Sequence, residues 1–505
     1  DGARIAHVDW DDDSSQFAFT NTTSEGIELW VVTDLEDPQP QRILGPVLNA
    51  AYGSPCDWLA GGAGLICKVV DSERGAPPQE SAVPAAPRVE QSLGREAPAR
   101  TYTNLLQSPH DEALFEYYLG SSLVHVHLNG EVRPLLEPAL IDEATPSPDG
   151  QWIMVSILHR PYSYHVPAYR FPRTTIVFPL DQPDASVQVS DLDLADDIPI
   201  AHGSTRTGRR SIWWRADRPH TLGFVEALDG GDARIEVTHR DAIYQLEAPF
   251  TTDPSLLWKS ELRFRGVMWG DDQLALAQDY WWPSRQTRLI ALDPSVEGGN
   301  PRVIVDRSLQ DAYGDPGRPV MRQGSFGRFV LHQDQGSVLM SGRGASPDGV
   351  YPFLDRLDLE TGETQRLWQA QDPYYESLIS VLDDAGEQLL TYRQSQAEPP
   401  NYFIRSGEKR PVRLTSFEDW APEFSDIDRE IIHYEREDGL PLSGTLYLPP
   451  GYNPKRDGPL PTVLWAYPSE FKKRSDAGQV TRAENTFSRP WGASHLYMLL
   501  EGYAV

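Results

Sequence analysis

The sequence predicts a mainly β chain, a β-propeller over residues 1–422 followed over 423–505 by the opening of a second, α/β domain. Three observations lead there. A phrase built from an aromatic or Ser-Pro start, a polar Asp/Gly turn and an alternating strand recurs seven times. Clear helical periodicity is missing from the first 420 residues. Beyond about residue 420 the text changes to strand, loop, helix and strand, the way an α/β sheet begins.

The repeats come in order along the chain. Trp10 opens WDDDSSQFAFT, Asp57 opens DWLAGGAGLICKVV, and Ser147 opens SPDGQWIMVSI. WWRADRPHTLGFVEA starts at Trp213, WGDDQLALAQDYW at Trp269, SFGRFVLHQ at Ser325 and LDDAGEQLLTYR at Leu382. Alternating strands joined by Asp/Gly turns are hairpins and meanders rather than βαβ crossovers. A module of four short strands cannot bury both of its faces alone, so repeats at this spacing point to a propeller. An unrelated set of hairpins in a sandwich is the alternative. The widest gap between starts holds a Pro/Ala-rich insertion, residues 71–100, which reads as a solvated loop.

The formal net charge of -29 repels phosphate backbones and argues against a nucleic-acid partner. No apolar run approaches the roughly 18 residues of a membrane span, so a soluble protein without a membrane partner is expected. Cys56 and Cys67 fall in one hairpin and could pair, but two thiols without a spacing motif say little about compartment. Asn21-Thr22-Thr23 matches a glycosylation sequon and reads as a turn. Asp1 is not a start residue, and the compartment stays open.

In the C-terminal stretch, REIIHYEREDGLPLSGTLYLPP, Arg429 to Pro450, reads as a strand, an Asp-Gly turn and a returning strand. After a Pro/Gly connector, TVLWAY is short, apolar and β-branched, as a buried strand should be. ASHLYMLLEGYAV reads as a helix delivering the next strand.

Long irregular phrases carry a resemblance across nearly the whole chain. They include ARTYTNLL from Ala99, HRPYSYHVPAYRFPR from His159, RSIWWRADRPHTL from Arg210 and DRSLQDAYGDPG from Asp306. LYLPPGYNPKRDGPLPTVLWAYPSEFKKRSDAGQV from Leu446 completes them. In these the chain resembles the prolyl oligopeptidase family of serine peptidases, and within it the chloroplast-type glutamyl endopeptidases and their bacterial relatives. The resemblance implies a seven-bladed propeller capping an α/β-hydrolase domain, with the active site between them and peptides or unfolded polypeptides as substrates. It implies cleavage after Glu, with Asp as a second candidate, and no cofactor. It also implies a chain cut inside its catalytic domain. The scarcity of Lys beside Arg leans towards a bacterial cytoplasm or periplasm, with the plastid stroma expected for a plant source.

A serine hydrolase of that fold needs Gly-x-Ser-x-Gly on a strained strand-to-helix turn, and none is present. Gly344-Ala345-Ser346 comes nearest, but Asp348 stands where the closing Gly belongs. The triad is therefore expected outside the sequence, and this polypeptide alone is expected to be inactive. One catalytic contributor is implied: Tyr467, whose hydroxyl matches the family's oxyanion-hole tyrosine. Binding a substrate carboxylate calls for an Arg fork, and Arg160 and Arg170 are the candidates. Arg209, Arg210 and Arg215 form a second cluster, for which bridging to acidic residues is the plainer role. His125 and His127 lack a third ligand, so packing is expected rather than a metal. Two rival functions remain: a dipeptidyl or acylaminoacyl peptidase of the same family, and a non-catalytic propeller that binds proteins.

Overall fold

The computed structural model describes residues 3–71, 73–80, 102–199, 201–425 and 427–505, and in them antiparallel meanders follow one another along the chain. Most of the expected insertion loop, residues 72 and 81–100, lies outside the described residues. The first eleven strands form one continuous hydrogen-bonded sheet. It contains three meanders, because Leu48 pairs with Val69 and the long strand Val132–Pro146 serves two neighbours. Separate four-stranded sheets follow over 210–260 and 263–308, then a five-stranded one over 318–369 and a four-stranded one over 375–413. Counting the three joined meanders, these are referred to as the first to seventh sheets.

The repeated phrases fall where the first strand of a sheet turns into its second. Trp10 ends Ile5–Trp10 before Phe17–Thr22, and Trp269 ends Arg263–Trp269 before Ala275–Trp281. The Asn21 sequon lies at the end of a strand rather than in a turn, which begins at Thr23. Cys56 and Cys67 face each other across a strand pair and are bonded.

Side-chain alternation explains the stacking. Along Ala275–Trp281, Ala275 and Ala277 pack towards the fourth sheet while Leu276 packs towards the sixth. Along Thr221–Ala227, Leu222 and Phe224 pack on the third sheet and Val225 on the fifth. Both faces of such strands are apolar because both are covered, giving near-continuous apolar runs. Among the described residues, every successive pair of sheets from the first to the seventh shares one such cluster.

Charge stitches the same seams. Arg263, on the fifth sheet, donates to Asp241 at 2.7 Å and to Asp229 at 2.6 Å, both on or beside the fourth. Arg210 and Arg240 complete these pairs, and the Phe264 backbone N–H donates to Asp241 at 2.8 Å. Arg215 lies over Trp269 at 4.1 Å and pairs with Asp217 at 2.6 Å, so the second arginine cluster holds sheets together.

Near the first strands, distant sheets meet. Arg328, in the sixth, donates to the Pro146 carbonyl in the third at 3.3 Å, and its charge acts on Asp9, Asp12 and Asp57 of the first two. Gly327 (φ 70°) lies so close to Asp12 that a Cβ would stand 2.2 Å from the aspartate Cβ. The row of sheets therefore curves back on itself.

Two further expectations need correction. A helix, α1 (Pro109–Leu119), stands where no helical period is evident, because none of its residues is buried and no apolar stripe marks it. TVLWAY is not a buried strand: Leu464 is 91% exposed and only Thr462 bridges, to Ala504. Its faces meet little of the described chain, which removes the burial that its apolar character suggested. The hairpin Asp428–Glu435 with Pro441–Leu448 forms as expected, turning at Gly439 (φ 76°). ASHLYMLLEGYAV gives a 3₁₀ turn, His495–Glu501, that packs on Phe424 and Ile427. No described helix is long and apolar enough to cross a membrane.

Burial, reinforced by Asp9 and Glu143, pushes the Asp57 carboxyl up to about 6. Its folded-state value exceeds its unfolded one, so its favourable contribution exists at low pH and is lost as pH rises through about 6. Asp57→Asn is therefore expected to raise stability by about 1–3 kcal/mol at pH 8, with the gain fading as pH falls from 6 towards 4. Thermal unfolding across that range checks this; a pH-independent gain would contradict it.

Candidate active-site face

Helix α1 exists because its first turn is capped. Ser108 Oγ accepts from the Asp111 backbone N–H at 3.2 Å, the Asp111 carboxylate accepts from the Gln107 N–H at 2.7 Å, and Pro109 fits the first position. Glu112 and Glu116, one turn apart, then share a face. Arg160 Nε donates to Glu116 at 2.8 Å and its Nη1 to Glu112, while the Tyr162 hydroxyl donates to the same Glu116 oxygen at 2.9 Å. The Arg160 hydrogen bond holds the Glu116 carboxyl below the usual range. Burial, then Glu116, pushes the Tyr162 phenol up. Beneath lies an aromatic bed in which Phe115 meets Tyr162 at 5.4 Å and Phe171 at 5.8 Å, closed by Leu158 and Val166.

Arg170 is directed differently. Its Nη1 donates to the carbonyls of Ala195 and Ile198, each at 3.2 Å. Arg206, which sequence reasoning passed over, donates to the carbonyls of Arg170, Phe171 and Asp193 at 3.1, 2.7 and 2.6 Å. Burial, with Arg173 and Arg170 nearby, pushes Arg206 down to about 10. Beside it opens a cavity of about 410 Å³ lined by Arg206 and by Asp191, Asp193, Asp197 and Asp232. Arg160 thus meets carboxylates and Arg170 meets backbone. The two belong to one loop, 159–172, yet do not converge on one spot.

Tyr467 is 82% exposed, and its hydroxyl makes no hydrogen bond among the described residues. The chain after it docks on the sheets. Gln310 Nε2 donates to the Glu470 carbonyl, and the Lys472 N–H donates to Gln310 Oε1 at 2.9 Å. Ser308 donates to Asp476 at 3.0 Å, Gln479 accepts from the Ala312 N–H at 2.6 Å, and the Val480 N–H donates to the Tyr313 hydroxyl at 2.8 Å. Further on, Asn485 donates to Asp372 at 2.6 Å and the Phe487 N–H to Gln394 at 2.8 Å. These partners sit at the ends of the second or fourth strands of sheets five to seven, or in the connections that follow them. Loop 159–172 and α1 are connections of the same kind in sheets three and two.

Ser346 is no nucleophile: it lies in a small hairpin, Ala345–Ser346 with Gly349–Val350, and donates to the Gly349 carbonyl at 3.0 Å. Ser147 and His220 both meet Asp149, but the aspartate stands between them, so the histidine cannot draw a proton from the serine. Among the described residues no group of three or more His, Cys, Asp or Glu is placed to hold a metal. The His125 and His127 rings lie 3.9 Å apart, and burial pushes His125 down to about 4.

No family model matches the chain. A protein named "Probable glutamyl endopeptidase, chloroplastic" from Oryza sativa subsp. japonica is 38% identical over 532 residues, covering 100% of this chain and 56% of the rice protein. The Arabidopsis thaliana protein of the same name is 37% identical over 535 residues, covering 100% of this chain and 55% of its own length. The chain thus spans little more than half of these curated relatives. Among solved structures, oligopeptidase B from Leishmania major aligns over 100% of this chain and 59% of its own, with a TM-score of 0.49 and 9% identity.

Proposed function

The chain is, along its whole length, a homologue of proteins named chloroplastic glutamyl endopeptidase, and from that premise we propose that the protein to which it belongs is a serine endopeptidase cleaving peptides after Glu. In this reading the successive sheets are the seven blades of a propeller, and residues from about 423 begin an α/β-hydrolase domain whose triad lies outside the sequence. Two features support the propeller: apolar clusters shared by successive sheets, and Arg328 reaching from the sixth sheet to the first three. The observation that carries the enzymatic reading is the docking of the Tyr467 loop on connections at one end of the sheets. A peptide admitted through the propeller would meet its catalytic partners there.

Tyr467 has one chemical task. As the scissile carbonyl becomes tetrahedral, its oxygen gains negative charge, and a phenol O–H held in a docked loop donates to it. Nucleophile, general base and orienting acid come from the rest of the protein, so this polypeptide alone does not hydrolyse peptides. Arg160 supplies the cation for the substrate's Glu. Its guanidinium is half exposed and already engages two carboxylates, so a substrate carboxylate enters by exchange with Glu112 or Glu116. Arg170 is the second candidate, through the loop it braces.

Tyr467→Phe in the full-length protein is expected to lower kcat roughly 100- to 1000-fold with little change in KM. Unchanged kcat on quenched Glu peptides would remove the tyrosine from the mechanism. Arg160→Ala is expected to raise KM for Glu substrates and spare hydrophobic ones. Glu112→Gln with Glu116→Gln, which frees the guanidinium, is expected to lower that KM. Equal losses on both substrate classes would make Arg160 a structural brace.

A further inference from the structure

The phrase SLQDAY, Ser308 to Tyr313, has no part in the chemistry above, yet it is the strip on which the Tyr467 loop rests. Upstream of the tyrosine the chain is anchored within its own domain. Val463 N–H donates to the Ala504 carbonyl at 2.8 Å, and Trp465 stacks on His495 at 4.8 Å. Downstream, the next anchor is across the domain boundary: Gln310 grips the backbone on both sides of Phe471, accepting from Lys472 and donating to Glu470. Side chains reinforce that grip. Arg285, 8% exposed and laid over Trp282 at 3.8 Å, faces the Glu470 carboxylate at 3.7 Å. The Lys472 ammonium stands 5.5 Å over the same indole. Between these anchors, Tyr467, Pro468 and Ser469 make no hydrogen bond among the described residues.

We infer that Gln310 is a positioning residue for Tyr467, so that the oxyanion donor is set only while the sheets and the C-terminal part are docked. The inference rests on the reading of Tyr467 as that donor. The physical reason is tolerance. A donor works when it stands about 2.7–3.1 Å from the developing oxyanion, and a displacement near 0.5 Å already degrades it. A span pinned at one end only cannot hold such a limit. With Gln310 in place it is pinned at both ends, by two hydrogen bonds to backbone that carry no information about the substrate. Opening of the two parts would release the downstream pin and loosen the hydroxyl.

The test is a cycle of variants in the full-length protein: Gln310→Ala, Tyr467→Phe and the pair together, with kcat and KM measured on one Glu peptide. Gln310→Ala alone is expected to lower kcat about tenfold with KM within about twofold, a loss within the range of the two exposed hydrogen bonds it removes. Added to Tyr467→Phe, it is expected to lower kcat no further, because the hydroxyl it positions is already gone. An equal loss in both backgrounds, or no loss from Gln310→Ala alone, would overturn the inference while leaving the tyrosine's own role standing. An inactive hydroxyl is recognised separately, since Tyr467→Phe would then match the parent enzyme.

Discussion

A four-stranded sheet of short strands has two faces and can hide neither by itself. In this chain both faces are apolar, as Leu289 and Ala291 on one side of Gln286–Leu292 and Ile290 and Leu292 on the other make plain. Each sheet therefore needs a neighbour on either side, and that need orders the rest. It makes the central strands continuous apolar runs, forces the sheets to follow one another in chain order, and pushes variation into the connections. The connections after second and fourth strands are then free to carry α1, the 159–172 loop and the strip from Ser308 to Tyr313. Variation is concentrated in the connections while stability resides in the seams.

The acidity of the chain fits this division. An excess of carboxylates would be costly at buried seams, yet Asp229 and Asp241 are fully buried there. They are tolerable because Arg263, Arg210 and Arg240 surround them with forked, charge-assisted hydrogen bonds. Removing one arginine from such a set leaves an unpaired buried charge, a much larger loss than the pair itself contributes. Arginine is suited to the task because one planar fork reaches two partners at once, as Arg263 does across two sheets.

Much of the architecture was legible before any coordinates. Trp10, Trp213 and Trp269 mark turns from first to second strands because such turns need Asp and Gly, and a Trp closes the strand before them. Helix α1 was not legible by period, since Phe115, Tyr117 and Tyr118 form no buried stripe. Its cap, Ser108-Pro109 followed by Asp111, was the available signal. The partners of Arg160 lie 44 and 48 residues away in sequence, a separation no local pattern reveals. Gln310 stood in a phrase noted for its irregularity alone, because a residue that binds backbone leaves no mark on its partner's sequence. Tyr467 was located by its phrase, while its exposure follows from packing, which the phrase does not encode.

These strands of structure meet at one place, the tyrosine loop held between the C-terminal hairpin region and a curved row of sheets. The most direct measurement is an experimental structure of the full-length protein with a Glu-containing peptide ketone bound covalently at its active site. The expected result is a closed ring with the seventh sheet beside the first, and the Tyr467 hydroxyl about 3 Å from the inhibitor's oxyanion. A row of sheets left open, or a Tyr467 ring turned away from that oxygen, would contradict the central claim.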